Sequence, residues 1–326
     1  MSPVIRSPDA VRWIVRRLED AGFETWAVGG AVRDALAEHP TEDWDFATAA
    51  RPADVRRLFR RTVPVGIEHG TVGVLTREGT LLEVTTFRRD VETTGRHAVV
   101  EFADTLEEDL ARRDFTVNAV AWHPITGVFQ DPFRGREDLD ARILRTVGKP
   151  ADRFSEDFLR VLRGLRFSGR FRLRIEGDTW KALCDSTKHL GLLSPERVRE
   201  ELMKVLTQDA RPSGAMALYT ASGVLSALYP ELSEVQGGAR PGREEDLWTH
   251  CLLLADILPP VRPSLRLAAL IHGLAIQEGP GDPGVDARAI GRERAAALLI
   301  RLRFSNAETR EVTELIGMGL ELSLIH

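Results

Sequence analysis

The most informative part of the chain is the sequence VGGAVRD at residues 28–34, which is followed shortly by DWD at residues 43–45. A strand pattern over Thr25–Val28 leads into a Gly-Gly turn and then into a helix start. The N-terminus of a helix presents N–H groups that bind phosphate. Residues i and i+2 of a strand lie on one face, so Asp43 and Asp45 can point at the same metal ion. The sequence therefore predicts a phosphate site beside a metal site.

The composition is that of a globular protein with more than one domain. The chain has 326 residues, of which 43% are hydrophobic and 29% are charged, and this length exceeds what one small core needs. No apolar run approaches the roughly 18 residues that span a bilayer, and no signal-peptide pattern opens the chain. Its two cysteines, Cys184 and Cys251, cannot build a disulfide framework. We expect a cytoplasmic protein without a membrane partner.

The charge gives a mixed indication about nucleic acid. The net charge of -5 argues weakly against such a partner, although the distribution of charge matters more than its sum. Forty of the 44 basic residues are arginines, and arginine suits bidentate contacts to phosphate and base edges. A bias of the coding genome towards arginine codons explains the surface arginines equally well.

The pattern of helices and strands predicts an α+β fold in three parts. Residues 1–145 mix both patterns and predict a head with a mixed sheet and helices on one side, followed by a helical neck (146–235) and a helical body (236–326). Strands are predicted at Thr25–Val28 and at residues 44–48, 73–76, 81–87 and 116–122. Helices are predicted near the N-terminus, with Ser7 as the cap, and at residues 51–60, 156–170, 179–188, 195–206 and 214–222. Residues 236–243 are expected to form a linker.

The acidic residues of the head suggest metal-assisted nucleotidyl transfer. Two Mg²⁺ ions can neutralise a triphosphate and activate an attacking hydroxyl, and Asp43 and Asp45 offer the oxygen ligands that Mg²⁺ prefers. Glu83, alone among apolar residues on a predicted strand, is the third candidate, because a carboxylate there is costly unless it is paired. As an alternative, these acids are ordinary turn and surface residues. The upstream glycines and Arg33, which can reach a triphosphate, favour the metal site.

A second motif is RRDFTVNA at residues 112–119. Arg113 can grip a phosphate, while Asp114 and Asn118 can hydrogen-bond ribose hydroxyls. The alternative is a helix C-terminus that carries basic residues against the helix dipole. Spacing alone does not separate these interpretations.

A third motif places charges at every third residue of a predicted helix: Asp157, Arg160, Arg163 and Arg166. Such residues share a helical stripe. An aspartate accepts from an exocyclic amine and an arginine donates to ring acceptors, so Asp157 and Arg160 together can read a base edge. The alternative is an exposed face with ion pairs between residues three positions apart.

Taken together, these motifs resemble the class II tRNA nucleotidyltransferases, the family of bacterial CCA-adding enzymes and poly(A) polymerases. The matching segments follow one another in the family's order, at residues 29–34, 43–45, 83–88, 112–119, 156–160 and 194–197. The resemblance implies Mg²⁺ at Asp43 and Asp45, with Glu83 as a third catalytic acid. It implies nucleotide contacts from these residues: Gly29, Gly30, Arg33, Arg113, Asp114, Asn118, Asp157, Arg160, Arg163 and Arg166.

The resemblance also implies substrates and partners. CTP and ATP would be the substrates that supply CMP and AMP to the 3′ end of tRNA, with release of pyrophosphate. The later helices would bind the acceptor arm of the tRNA, and the oligomeric state stays open. A flexible loop that helps to switch from CTP to ATP would fall at residues 88–97, where the chain is slightly short. CC-only, A-only and poly(A) addition therefore remain alternatives, as does a non-catalytic RNA-binding module.

The last part of the chain resembles a degenerate HD phosphohydrolase. Residues 269–273 read ALIHG, with glycine at position 273 where the motif has aspartate, and His250 stands where an earlier ligand would lie. A metal-dependent HD site needs that carboxylate, so we expect no phosphatase activity and packed histidines. The sequence stops at residues 324–326 within a helical pattern, which suggests a chain shorter than its relatives.

Overall fold

The computed structural model describes residues 5–41, 43–94, 97–238, 246–276 and 287–317. The chain packs as two compact units, residues 1–157 and 158–326. The division into three parts at residues 145 and 235 stays a prediction, and most of the expected linker at 236–243 lies outside the described residues, as does the chain end at 324–326. Within the described ranges, no helix is both long and apolar enough to cross a membrane.

The strands are mostly short. In chain order they are β1 (Thr25–Val28), β2 (Asp45–Thr48), β3 (Thr62–Gly66), β4 (Thr71–Leu75), β5 (Leu81–Thr86), β6 (Arg88–Thr94), β7 (His97–Phe102), β8 (Ala121–Trp122), β9 (Phe129–Gln130), β10 (Ile143–Leu144) and β11 (Arg174–Ile175).

Helices occur in both units and dominate the second one. They are α1 (Asp9–Glu19), α2 (Gly30–Leu36), α3 (Pro52–Leu58), α4 (Leu106–Ala111), α5 (Gly135–Asp140), α6 (Pro150–Glu156), α7 (Leu159–Phe171), α8 (Gly177–Ser186), α9 (Pro195–Gln208), α10 (Ser213–Ala221), α11 (Val224–Leu228), α12 (Pro230–Ser233), α13 (Leu247–Ile257), α14 (Pro263–Ile271), α15 (Gly273–Ile276), α16 (Ala287–Arg301) and α17 (Asn306–Gly317).

The head contains a seven-stranded mixed sheet in the order β3-β4-β5-β2-β1-β8-β9. Its only parallel neighbours are β2 and β5, and their register sets Asp45 opposite Glu83. The antiparallel pair β1 and β2 sets Val28 opposite Asp45. The predicted mixed sheet and the α+β class are confirmed. The residues that end β1 and begin β2 therefore meet Glu83 at one end of the sheet.

Helices cover both faces of this sheet, so the expectation of helices on one side is wrong. On the first face, Val11, Ile14 and Leu18 of α1 pack with Phe46 and Val84. On the second face, Leu106 and Leu110 of α4 pack with Trp26, Val28 and Ala47. Alternate residues of a strand point to opposite faces, and both sets are apolar here, which is the pattern of a sheet buried on both sides.

Three local expectations differ from the structure. Ser7 does not cap α1, because Pro8 occupies the cap position without a side-chain hydrogen bond. Residues 116–122 form a 3-10 turn (Thr116–Asn118) followed by the two-residue strand β8. The expected loop at residues 88–97 is instead the strand β6 and the start of β7, which pair with each other in antiparallel register.

In the second unit, a buried arginine of α14 donates hydrogen bonds to the C-terminal ends of two other helices, α9 and α13. Arg266 of α14 is 1% exposed, and its guanidinium donates to the carbonyl oxygens of Leu206, Asp209 and Ala210 at 2.6 to 2.9 Å. The last carbonyls of a helix lack partners within the helix, so Arg266 satisfies the end of α9. Its Nε donates to Leu258 O at 2.6 Å, at the end of α13.

Candidate active site

The acidic end of the sheet is a concentration of negative charge. Asp45 opens β2 opposite Glu83 of β5, and Asp43 lies two residues earlier in the chain. The pKa of Asp45 is raised to about 6, first because surrounding protein atoms displace its water, and then because Glu83 and Asp43 repel a further negative charge. Arg113 acts in the opposite direction. Asp43, Asp45 and Glu83 therefore lie close enough to interact electrostatically at this end of the sheet, and their shared role at a metal ion stays a prediction.

The alternation of side chains along β2 and β5 places the carboxylates of Asp45 and Glu83 on one face of the sheet. Asp45 has the same strand parity as Ala47, which lies in the core on the second face. Glu83 lies between Leu82 and Val84, whose side chains belong to the core on the first face. The carboxylates of Asp45 and Glu83 therefore share the second face. Because β2 starts at Asp45, its side chain keeps an exposed surface at the sheet end.

Gly29 lies directly beside these acids. Its φ of 74° and ψ of -135° lie in a region that favours glycine. A Cβ atom at this position would stand 2.9 Å from Arg113 Nη1 and 3.7 Å from Asp45 Oδ2. A side chain at residue 29 would therefore fill the space between the guanidinium of Arg113 and the carboxylate of Asp45. The Gly-Gly motif keeps this space open.

Arg113 is oriented towards this space by a buried aspartate that the sequence analysis did not single out. Asp109 of α4 is 2% exposed, and its Oδ2 accepts from Arg113 Nη2 at 3.0 Å. Its Oδ1 accepts from the main-chain N of Arg88 at 3.2 Å. Arg113 Nη1 donates to Asn118 O at 3.4 Å, whereas Arg113 Nε is buried without a protein partner. An i,i+4 acid and arginine on one helical turn was the available sequence signal for Asp109.

Arg33 belongs to a buried polar network beneath the site. It is 5% exposed, and its Nε donates to Asp34 Oδ1 at 2.8 Å while Nη1 donates to Asn118 Oδ1 at 2.6 Å. Asn118 Nδ2 in turn donates to Asp114 Oδ1 at 2.8 Å. The contacts made by these side chains join the first glycine-rich motif to the motif at 112–119. Gly30 stands above Arg33, because a Cβ there would lie 3.7 Å from Arg33 Nη2.

The third motif is divided between the two units. Asp157 follows α6 with extended backbone angles, φ -153° and ψ 106°, and the helix that carries Arg160 begins only at Leu159. The expected continuous helix over 156–170, with Asp157 on its stripe, is therefore wrong. Ser155 caps no helix there, since its Oγ donates to Asp152 O within α6.

The arginines of α7 have different surroundings. Arg160 and Arg163 are half-buried, and the guanidinium of Arg163 lies 5.2 Å from the centroid of the Phe167 ring. Arg166 is 5% exposed, and its Nε donates to Glu201 Oε2 at 2.7 Å inside the helical unit. Arg166 thus has a buried carboxylate partner on α9, and this pair differs from the exposed pairs three positions apart of the alternative interpretation.

A divalent cation fits the donor set at the acidic end of the sheet. Asp43 and Asp45 offer oxygen donors, and the pKa of Asp45 is raised first by burial and then by the negative charges of Glu83 and Asp43, which Arg113 offsets only in part. In the part of the chain that the structure describes, no three His, Cys, Asp or Glu side chains are grouped to hold a metal ion. Mg²⁺ commonly takes one or two carboxylates and completes its shell with water and substrate phosphate, and that manner of binding suits this site.

The HD-like region has no room for the missing carboxylate. A Cβ atom at Gly273 would stand 2.6 Å from Val235 Cγ1 and 2.9 Å from Cys251 Sγ. His272 is 7% exposed, and its Nδ1 lies 2.6 Å from Ala269 O. The ring of His250 contacts that of His272 edge to face, at 5.2 Å. The two histidines are packed against neighbouring groups, as expected.

Comparison with known proteins agrees with this geometry. Residues 25–145 match the poly A polymerase head domain, and residues 172–235 match the family described as the probable RNA and SrmB-binding site of polymerase A. The CCA-adding enzyme of Streptococcus gordonii is 45% identical over 264 residues, which are 78% of this chain and 65% of that protein. The corresponding enzyme of Leuconostoc mesenteroides is 47% identical over 195 residues, 59% of this chain and 48% of its own length.

A solved structure matches over almost the whole chain. The Bacillus stearothermophilus CCA-adding enzyme in complex with CTP is 32% identical, with a TM-score of 0.66 over 97% of this chain and 83% of that one. The chain spans about two thirds or less of the length of the curated relatives named above. On this evidence, the chain belongs to the class II tRNA nucleotidyltransferase family, that of the bacterial CCA-adding enzymes and poly(A) polymerases.

Proposed function

We propose that this chain is a template-independent RNA nucleotidyltransferase that adds CMP and AMP to the 3′ end of tRNA. The observation that carries the proposal is the juxtaposition of Asp45, Glu83 and Arg113 around the bare Cα of Gly29. An acidic metal site beside an arginine and a glycine turn suits a triphosphate. The family and the CTP complex of the Bacillus stearothermophilus relative support the same substrate class.

Asp43 and Asp45 would hold Mg²⁺. When bound, the metal would neutralise charge on the triphosphate and lower the pKa of the attacking 3′-hydroxyl. Glu83 adds negative charge beside Asp45 and so strengthens the attraction for a cation. The raised pKa of Asp45 implies that a cation must compete with a proton there below about pH 6.

The remaining head residues would orient the nucleotide. Arg113 is fixed by Asp109, and its Nη1 lies beside Gly29, where it would bind a phosphate oxygen. Gly29 and Gly30 allow the triphosphate to approach the main chain. Arg33 has neighbours on all three of its nitrogens, so it would act by holding Asn118, and through Asn118 Asp114, in place beside the ribose. Positioning of this kind accounts for a large part of such catalysis.

The base would be selected by Asp157 and Arg160, as the family resemblance implies. Asp157 offers acceptors for an exocyclic amine, and Arg160 offers donors for ring acceptors. Arg163 would lie beside the nucleotide or the RNA end. Arg166, which pairs with Glu201, would support this helix from inside the unit. These four roles rest on the family resemblance.

One assay tests the proposal directly. Purified protein is incubated with tRNA that lacks CCA, with Mg²⁺ and with CTP only, ATP only or both, and the products are sequenced. The proposal predicts CC with CTP alone and complete CCA with both nucleotides. Products that stop at CC even with both nucleotides would identify a CC-adding enzyme. An enzyme that adds A only where CC is already present, and adds no C itself, would be the A-adding alternative. Long A tails would identify a poly(A) polymerase.

Two rivals from other classes have distinct outcomes. A non-catalytic RNA-binding module would bind the tRNA and incorporate no nucleotide. An HD phosphohydrolase would release phosphate in a metal-dependent manner, but Gly273 is enclosed by Val235, Cys251 and Leu247, which leaves no space for the carboxylate that such a site needs.

A further inference from the structure

The head carries a basic site in addition to the acidic one, on the face of the sheet opposite Asp45 and Glu83. A cavity of about 630 Å³ lies between α1, the end of α3 and the turn that joins β4 to β5. Four arginines line it, Arg17, Arg60, Arg61 and Arg77, and its described lining includes no acidic residue. We call this cavity the arginine groove. An opening lined by one sign of charge attracts ligands of the opposite sign.

The arginines divide into anchored and available ones. Arg17 Nε donates to Leu58 O at 2.8 Å, and Arg61 Nη1 donates to Thr76 O at 3.1 Å. These bonds fix two walls of the groove. Arg60 and Arg77 are exposed and make no hydrogen bond or ion pair with any residue that the structure describes. Their guanidinium groups therefore remain available for a ligand.

Aromatic surface lies among these charges. Trp13 of α1 lines the groove and is 43% exposed, which is unusual for a side chain of this size. Its ring meets that of Phe59 edge to face, with centroids 5.2 Å apart, so its orientation is set from below. A basic groove with an exposed, supported aromatic ring is the arrangement that binds single-stranded nucleic acid, since phosphates pair with arginine and bases stack on the ring.

The position of the arginine groove relative to the acidic site follows from the strand register. Leu75 pairs with Leu81, and Gly73 pairs with Glu83, which itself pairs with Asp45. The β4–β5 turn with Arg77 is therefore at the same end of the sheet as the acidic site. With strands about 4.8 Å apart, β4 and β2 are separated by roughly 10 Å across this end. A single strand can pass over the sheet end from one site to the other.

We propose that the arginine groove binds a single-stranded segment of RNA, with phosphates on Arg60 and Arg77 and a base stacked on Trp13. The inference concerns binding on a surface outside the proposed transfer site, and it goes beyond that reaction. It requires only that an RNA chain reaches the head, and binding is measured without nucleotide.

The first test compares two doubly substituted variants of the full chain. Arg60→Ala/Arg77→Ala removes the available arginines, whereas Arg12→Ala/Arg57→Ala removes two exposed arginines that pair with Asp9 and Asp54 outside the groove. Both change the net charge equally. Binding of a labelled 12-nucleotide single-stranded RNA, followed by fluorescence anisotropy, is expected to weaken about tenfold in the first variant and little in the second. The slope of log K against log salt should become shallower by about 1.4 in the first variant only.

The second test localises the RNA. The same oligonucleotide carrying 4-thiouridine is irradiated with the full chain, and we expect a crosslink in the peptide that contains Trp13. Trp13→Ala should lower the affinity by roughly 5- to 150-fold through lost stacking, while Trp13→Phe should retain most of it. Circular dichroism and Tm show whether each variant is folded.

Three results would overturn the inference. One is equal affinity of the two double variants, and another is a crosslink map without the Trp13 peptide. The third is the same tenfold loss with inorganic polyphosphate and no effect of Trp13→Ala, which would identify a simple anion site. The Arg60→Ala/Arg77→Ala variant should still incorporate CMP when the acceptor RNA is saturating. If the proposed transfer reaction were absent, binding of RNA to the arginine groove would be unchanged. The two proposals can therefore fail separately.

Discussion

Asp45 of the head and Glu201 of the helical unit are both acidic residues crowded by protein, yet their electrostatic surroundings are opposite. Around Asp45, loss of water and the charges of Glu83 and Asp43 raise the pKa to about 6, against the influence of Arg113. Around Glu201, burial also opposes the charged form, but Arg166 and Lys204 outweigh it and lower the pKa. Glu201 has its counter-charges within the chain, whereas Asp45 awaits a cation. The arrangement around Glu201 is expected to stabilise the helical unit, and that around Asp45 suits the proposed binding of a cation.

Removing the charge of Asp45 is expected to have the largest effect. Asp45→Asn should lower kcat for CMP incorporation by about 10³-fold or more, because several kcal/mol of metal-dependent stabilisation of the transition state are lost. The protein should remain folded, since the substitution removes repulsion among carboxylates. Single-turnover incorporation and thermal unfolding measure the two effects.

A control for this variant is Asp54→Asn, which removes a half-buried acid of the same unit and breaks the pair with the exposed Arg57. Its incorporation rate should match that of the wild type. Incorporation by Asp45→Asn at the wild-type rate would remove the catalytic assignment and the contrast with Glu201.

The opposite behaviour is expected of Glu201, which is 1% exposed. Glu201→Gln should lower the free energy of unfolding by about 3–5 kcal/mol, because it leaves the guanidinium of Arg166 buried without a negative partner. Chemical denaturation measures this loss. The neighbouring exposed residue gives the matched variant, Glu200→Gln, which should change stability by no more than about 0.5 kcal/mol. Equal stability of the two variants would show that the buried pair does not stabilise the unit.

Gly29 sharpens the comparison by testing the open space beside Asp45. Gly29→Ala should cost about 1–3 kcal/mol of stability, because residue 29 has a positive φ. It should also raise the KM for the nucleotide, because the new methyl group would stand 2.9 Å from Arg113 Nη1 and displace this guanidinium. Gly22 also has a positive φ but has open space around it. Gly22→Ala should therefore cost stability and leave the KM unchanged. A shared effect of both variants on KM would contradict the steric role of Gly29.

The smallest expected effect is a pH dependence of opposite sign at the two acids, measured without divalent metal. Because the folded pKa of Asp45 lies above the unfolded value of 3.8, the folded state binds more protons between about pH 4 and 6. Stability then falls as pH rises through this window. Because the folded pKa of Glu201 is lowered from 4.5, its contribution is present above pH 4.5 and is lost as pH falls through the folded pKa.

The measurement is the Tm of three proteins between pH 3.5 and 7.5 in EDTA. Asp45→Asn should gain stability over the wild type as pH rises through 6, by about 2 °C, since the exposed surface of Asp45 permits screening by water. The deficit of Glu201→Gln should shrink at the acidic end. Parallel curves for wild type and Asp45→Asn would refute the raised pKa of Asp45.

Local patterns in the sequence were sufficient for the elements that surround the acidic site. The strand Thr25–Val28 is observed with the predicted bounds, and α9 begins at Pro195 as its Ser-Pro start indicates. The approach of Asp45 to Glu83 was also anticipated, because Glu83 stands alone among apolar residues on a predicted strand, where a carboxylate is costly unless it is paired or bound to a metal. Turn glycines, apolar alternation and helix starts are local signals, and they depend little on distant packing.

The differences arise where distant contacts determine the structure. Arg153 of α6 donates to Ala111 O at 2.9 Å and to Val147 O at 3.1 Å, contacts that hold α6 within the head. No pattern of charges at every third residue reveals such bonds, and so the interruption of the helix at Asp157 was not predicted. Likewise, β6 exists through its pairing with β7, since a strand depends on its partner more than on its own composition.

The bonds of Arg266 determine how the chain can be divided for experiments. A fragment that ends near residue 235 would keep α9 but lose the guanidinium that donates hydrogen bonds to three carbonyl oxygens at the end of this helix. Those groups would be left inside an apolar environment or would draw water into it. Expression of the helical segment alone should therefore extend past α14, and shorter pieces are expected to be prone to proteolysis and aggregation.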